Sequence, residues 1–388
     1  MNRPAHPRSG SLAKQAGMSL LEILVATAIG LIGIVVITQA YIVNENYKRS
    51  TVSAGGAQTN GALAMYNIER DVRMAGWGMA WSTVLGCSSM RWYYNGDYSN
   101  PPGGGLPTIL PMPVVITDGG AGPDTITVMY GTQTERVIPA TVGATMVSPG
   151  DAIQVDNPEG FSSTPGDLIL GVTGATCSLM QVTGVASGQL QHTSTGTAPF
   201  NPAGGGSLPV YPSGAQIFNL GRPVVNTYSV AAATTSELQV ASLFTATSST
   251  VVASYTPTPL GIVDGIVDLQ AEYGKDNGVD NGTVAAASFV ANDGIVDSYD
   301  SVTPTTQIGW QQVLSIRIGV LARSENYVKP DATGVCQTTT TNPTWGNGLS
   351  FPAVGDLTVA TAANTARCYG YRVFETVVPL RNMIWRQG

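Results

Sequence analysis

Between Ile23 and Val43 the chain runs for 21 residues without a formal charge, directly behind a glutamate, Glu22. As a helix this run reaches about 30 Å, enough to cross the hydrocarbon core of a bilayer. Arg3, Arg8 and Lys14 precede it with no acid among them. A basic flank of this kind stays in the cytoplasm, so everything beyond residue 43 is expected in the periplasm. Glu22 is the anomaly, because a carboxylate inside a bilayer costs about 2.5–3.5 kcal/mol near its centre. An ordinary secretory signal, cut near Thr38-Gln39-Ala40, is the competing reading. It gives Glu22 no task, and the helical pattern continues past that site.

The run Lys14-Gln15-Ala16-Gly17-Met18-Ser19-Leu20-Leu21-Glu22 resembles the processing signal of type IV prepilins. In that family a peptidase cuts after the glycine and methylates the new N-terminus, which implies cleavage after Gly17 and methylation of Met18. Glutamate fifth after the cut is the family's other defining residue, here Glu22. Met18 departs from the usual phenylalanine. The resemblance implies that the Glu22 carboxylate pairs with the N-terminal amine of a neighbouring subunit in the membrane, since two charges in apolar surroundings are relieved by meeting. Glu22 resting at the headgroup level is the plainer alternative. Gly30 and Gly33 have the small-x-x-small spacing that lets helices approach closely, or they only soften the helix.

Behind the run, Asn44–Val52 stays compatible with helix, Gly55-Gly56 loosens it, and Gly61 adds a second soft point. Met65, Ile68, Val72 and Ala75 then recur at helical spacing, Glu69 and Arg73 support the opposite face, and Gly76 and Gly78 end the element. A continuous helix from Ser19 to Ala75 would measure roughly 85 Å. Two helices joined at Gly55-Gly56 would serve as well. The stretch Ile68-Glu69-Arg70-Asp71-Val72-Arg73-Met74-Ala75-Gly76-Trp77 resembles the helix end of PilW-like minor pilins. So do Tyr273-Gly274-Lys275-Asp276 and Val378-Pro379-Leu380-Arg381-Asn382.

Charged residues make up only 11% of the 388, while Gly (46) and Pro (24) are plentiful, which suits short strands and turns. Alternation predicts strands at Asp124–Gly131 and Val313–Leu321. Further strands are expected at Asp167–Val172, Ser178–Val182, Ala215–Leu220 and Tyr371–Val378. Between Gly261 and Leu269 a short helical stripe is expected to feed a strand through Tyr273. The fold class expected is α+β: a long N-terminal hydrophobic helix, half transmembrane and half packed on the head, plus a large antiparallel β-rich head. The organisation expected is a leader at 1–17, a helix at 18–76 with its transmembrane half at 20–43, and a periplasmic domain at 77–388.

Three of the 18 basic residues lie in the first 17 positions, so the remainder sets 15 basic groups against 25 acidic. An acidic surface without clustered Lys/Arg excludes nucleic acid as a partner. The four cysteines, Cys87, Cys177, Cys336 and Cys368, form no C-x-x-C pair. In an oxidising compartment they suggest two disulfides. Of three pairings, Cys87–Cys177 with Cys336–Cys368 is the one expected; buried free thiols are the alternative. No nucleophile elbow, phosphate loop or metalloprotease helix is present, so no enzyme is expected. His192 lies in a loop-like setting and reads as solvated. Asp276, Asp280, Asp293 and Asp297 alternate with amides and glycines, which fits either ordinary turns or oxygen ligands for calcium. No other cofactor is expected.

The resemblance implies a minor pilin that primes type IV pilus assembly and sits at or near the filament tip. The alternatives are a minor pseudopilin of type II secretion and a pilus-presented adhesin or DNA-uptake subunit. The implied partners are other minor pilins and the major pilin, the prepilin peptidase, the inner-membrane assembly platform and a large tip adhesin. The implied location is the inner membrane with a periplasmic head, and then the pilus.

Overall fold

The computed structural model describes residues 19–79, 82–99, 105–196, 198–231, 235–246, 251–284, 288–346 and 348–384. Gly17, Met18 and the basic residues of the leader lie outside them. The chain divides into two units, residues 1–53 and 54–388.

Helix α1 spans Leu20–Met74, 55 residues. It passes through Gly55-Gly56 without a break, where a Cβ would meet nothing within 4 Å. Gly61 is no soft point. A Cβ there would lie 2.0 Å from the Phe374 ring, so this glycine lets α1 approach the strand Tyr371–Pro379. The turn beyond α1 uses Gly76 (φ 77°) and Gly78 (φ 75°) in the left-handed region.

The head, residues 54–388, is built on two antiparallel sheets. The first runs Leu260–Asp264, Glu237–Ser242, Val224–Val230, Thr125–Tyr130, Val114–Thr117. The second runs Ser298–Asp300, Ile266–Lys275, Val313–Arg323, Tyr371–Pro379. Both pack on the head half of α1. Ala57, Ala64, Met65, Ile68, Val72 and Ala75 share one core with Ile126, Val128, Leu238, Leu269, Ile316, Ile318, Val320 and Val378. The buried positions recur every three to four residues, the period that keeps one helix face turned inward.

The helical stripe expected between Gly261 and Leu269 is two strands, Leu260–Asp264 and Ile266–Lys275, broken by Gly265 at φ 75°. In the second of them Ile266, Val267, Asp268 and Leu269 are buried in succession on both faces of the second sheet, and such a doubly covered strand reads as a continuous run without alternation.

Tyr130 and Val224 are paired across neighbouring strands. Residues 131–223 therefore form an insertion. Much of it folds into a separate sheet around Leu168–Thr173, Thr176–Gln181 and Gln216–Gly221. Cys87 is bonded to Cys177 and ties this insertion to the segment after α1; Cys336 is bonded to Cys368.

Candidate assembly surface

The first surface is the beginning of α1. Leu20–Glu45 is long and apolar enough to cross a membrane, with a mean hydropathy of 2.7 and none of its most apolar window buried. Its two threonine hydroxyls are satisfied locally, that of Thr27 donating to Leu24 O (2.9 Å) and that of Thr38 to Ile34 O (2.7 Å). A Cβ on Gly30 or Gly33 would meet nothing within 4 Å, so both glycines lie on open helix surface.

At its start, Ser19 N–H donates to Glu22 Oε2 (2.8 Å) and Glu22 N–H donates to Ser19 Oγ (3.3 Å). This reciprocal pair is a capping box, which satisfies two N–H groups that a helix start otherwise leaves bare. The two expectations for Glu22, a neighbour's amine and a place at the headgroup level, did not include this cap. The local signal, serine three residues before glutamate, was present in the sequence. The second carboxylate oxygen has no partner among the described residues.

The second surface is where α1 enters the head. Asp71 is 1% exposed. It accepts from Tyr228 Oη (2.7 Å), Asn226 Nδ2 (2.8 Å) and Tyr130 Oη (3.3 Å), and Arg70 Nη2 reaches it at 3.2 Å. The tyrosines stand on adjacent strands of the first sheet, so one buried carboxylate fastens the helix to both. Burial, with Asp71 as second cause, pushes the Tyr130 hydroxyl up to about 12. Burial and the same carboxylate raise Tyr228 well above the ordinary phenol range. Both hydroxyls therefore stay protonated and keep donating. The Arg70 guanidinium is raised by its neighbour Asp71.

The end of α1 is completed from far along the chain. Asn382 Nδ2 donates to the carbonyls of Met74 (3.2 Å) and Ala75 (3.0 Å) at the helix C-terminus, where Met74 O also accepts from Trp77 N–H (3.1 Å). Gly76 N–H donates to Met129 O (2.9 Å), and Trp77 Nε1 to Gln133 O (2.8 Å). Val378 and Leu380 lie in the core that covers the α1 stripe, as does Tyr273, whose hydroxyl accepts from Ile116 N–H (2.7 Å). The three stretches singled out in the sequence, around residues 68–77, 273–276 and 378–382, thus meet in one core.

Residues 227–382 match the family model of the type IV pilus-assembly protein W, PilW. Over that stretch the chain is PilW-like, which supports involvement in type IV pilus assembly. The matched stretch contains Tyr228 near its start and ends on Asn382, so the PilW region carries two of the groups that hold α1. It begins just past the insertion at 131–223. No curated protein and no solved structure matches the chain.

Asp276, Asp280, Asp293 and Asp297 belong to two turn-rich stretches that are stitched together. Asp276 Oδ2 accepts from Gly294 N–H (2.7 Å) and its Oδ1 from Asp293 N–H (3.3 Å), while Asp297 Oδ2 accepts from Gly278 N–H (2.6 Å). Asp280 and Asp293 hold N–H groups two residues on, Gly282 and Ile295. Among the described residues no group of three His, Cys, Asp or Glu side chains is arranged to hold a metal ion.

His192, read as solvated, is buried, with 3% exposed. Its Nε2–H donates to Asp151 O (2.9 Å), and its Nδ1 has no partner among the described residues. Burial lowers its pKa and keeps it neutral. Its partner Asp151 lies 41 residues earlier in the chain, a contact that one-dimensional periodicity does not reveal.

Proposed function

We propose that this PilW-like chain is a minor pilin, processed between Gly17 and Met18, that primes type IV pilus assembly from the inner membrane and stays at or near the filament tip. The observation that carries this reading is the single helix α1, whose bare apolar first half continues into a second half clamped by the PilW region. A polymerising helix must transmit load to the head it carries, and Asp71, Gly61 and Asn382 supply that joint. Glu22, capped by Ser19, keeps one oxygen to meet the amine of a neighbouring subunit. Other minor pilins, the major pilin and the inner-membrane platform are the partners this role requires, with a tip adhesin as cargo.

Glu22→Ala is expected to be cut normally, to leave the head folded and to enter filaments at least tenfold less often, read by immunoblot of sheared pili. Incorporation at the parental level would remove the pairing role. The role itself is tested in a strain lacking the chain, by counting surface pili and assaying export of type II substrates in the same cells. Loss of pili with export intact is the expected result. Intact pili with failed export would make the chain a pseudopilin.

A further inference from the structure

The two sheets of the head end in four edge strands. An open edge is a template for pairing, and proteins blunt theirs with shortness, irregularity or covering groups. Three of the four are managed in this way. On Val114–Thr117, Ile116 N–H donates to Tyr273 Oη (2.7 Å) and Ile116 O accepts from Thr303 Oγ1 (2.8 Å). On Ser298–Asp300, Tyr299 N–H donates to Thr283 Oγ1 (2.8 Å) and Tyr299 O accepts from Asn281 Nδ2 (2.9 Å). Leu260–Asp264 is five residues long and shifts register against its neighbour.

The fourth edge, Tyr371–Pro379, has none of these protections. It pairs with Val313–Arg323 over nine consecutive positions without a register shift. It holds no lysine, and its proline stands at the end. Leu380 N–H donates to Leu314 O, which fixes the phase of the ladder. Hydrogen-bonded pairs alternate along an antiparallel ladder, so Arg372, Phe374, Thr376 and Val378 bond inward. The N–H and C=O groups of Tyr371, Val373, Glu375 and Val377 then point outward, and among the described residues no other segment or side chain receives them.

We propose that this strand is a docking edge, and that its occupant is an extended segment of another pilus subunit, added as a further strand of the second sheet. This rests on the pilin role argued above and names the contact. Side chains set the chemistry of the occupant. Val373, Glu375 and Val377 share one face by the two-residue period, with Val373 37% and Val377 46% exposed. Glu375 Oε2 accepts from Gly346 N–H (2.9 Å), and its Oε1 has no partner among the described residues. The complementary strand carries an apolar residue, a basic residue two positions on, and a second apolar residue two beyond that. Main-chain bonds supply the affinity in such strand addition, and the alternate side chains supply the choice of partner.

The test uses the full chain in intact cells, with a photoreactive benzoylphenylalanine in place of Arg372, which is exposed on this strand. Irradiation is expected to give an adduct with an extended segment of another subunit that carries the apolar–x–basic–x–apolar spacing. Val373→Pro removes one outward N–H and no inward bond, and is expected to reduce that adduct at least tenfold while both disulfides still form. Should Val373→Pro fail to accumulate, Val377→Lys places a cation on the exposed face without touching the backbone, and the same loss is expected. No adduct with a subunit, an adduct that survives these substitutions, or one that maps to a second copy of this chain overturns the proposal. The adduct is read whether or not deletion of the chain abolishes pili, so failure of the docking edge and failure of the priming role are separate results.

Discussion

Asp71 shows what a single residue contributes that a pattern does not announce. It sits between Ile68 and Val72 of the buried stripe, flanked by Arg70 and Arg73, in a stretch that reads as an amphipathic helix with a charged outer face. Glu69 and Arg73 do bond on that face, Arg73 Nε to Glu69 Oε1 at 3.0 Å. Asp71 turns inward because Tyr130, Asn226 and Tyr228 offer three donors from strands remote in sequence. Nothing local specifies those partners, so its role was illegible although its neighbours' roles were not. Asp268 is a comparable case with a pH signature. Its carboxylate accepts from Gln270 Nε2 and Ala353 N–H, both at 2.9 Å, and burial pushes its pKa up to about 6. That value lies above the ordinary carboxylate of about 3.9, so the folded chain holds the proton more tightly than the unfolded chain. The contribution is present in full below pH 4 and is lost as pH rises through 6. Denaturant unfolding of the parent and Asp268→Asn at pH 4 and pH 7 is expected to show the parent losing on the order of 2–3 kcal/mol relative to the variant. A difference independent of pH would mean that Asp268 titrates normally.

At the scale of elements, α1 and the alternating strands were legible because their periods follow from one buried face. Thr125–Tyr130 lies where alternation put it, with Ile126 and Val128 buried; Val313–Arg323 also lies there although it is buried along nearly its whole length, and Tyr371–Pro379 lies where a further strand was expected. The strand through Tyr273 was expected, but its first residues, Ile266–Leu269, were read as helix, because four buried positions in a row show no alternation. Glycine was misleading for a related reason: its conformational cost is visible in sequence, and the space it leaves for a neighbour is not. Gly61→Val is therefore expected to destabilise the head by about 1–3 kcal/mol through overpacking against Phe374. Combining it with Phe374→Ala is expected to recover part of that loss, giving a coupling above about 0.5 kcal/mol in a double-mutant cycle. Gly55→Ala, with open space around it, serves as the control and is expected to cost nothing. Equal effects at Gly55 and Gly61 would refute the close-approach role.

For the whole molecule, the α+β class and the apolar helix were readable, but the insertion was not. Its ends meet only because Tyr130 and Val224 pair, a contact between residues far apart in sequence. Long-range closure also explains why the disulfides matter. Cys87–Cys177 spans 90 positions and Cys336–Cys368 spans 32. On chain-entropy grounds each stabilises by about 4 kcal/mol. Cys336→Ser with Cys368→Ser is expected to lower the thermal midpoint of the full chain in detergent by roughly 5 °C, and an unchanged midpoint would remove the disulfide from the account of stability.

The cap on α1 has a consequence for how the chain is made. The helix is among the first parts to leave the ribosome, yet its last carbonyls are answered by Asn382 and its inner stripe is roofed in part by Tyr371–Pro379. A product cut short by even twenty residues keeps its anchor and loses the lid of its head. It would stand in the membrane with an apolar stripe uncovered, a mark by which proteases distinguish unfinished subunits from finished ones. Completion of synthesis is thereby written into the same joint that fixes the end of the helix to the head.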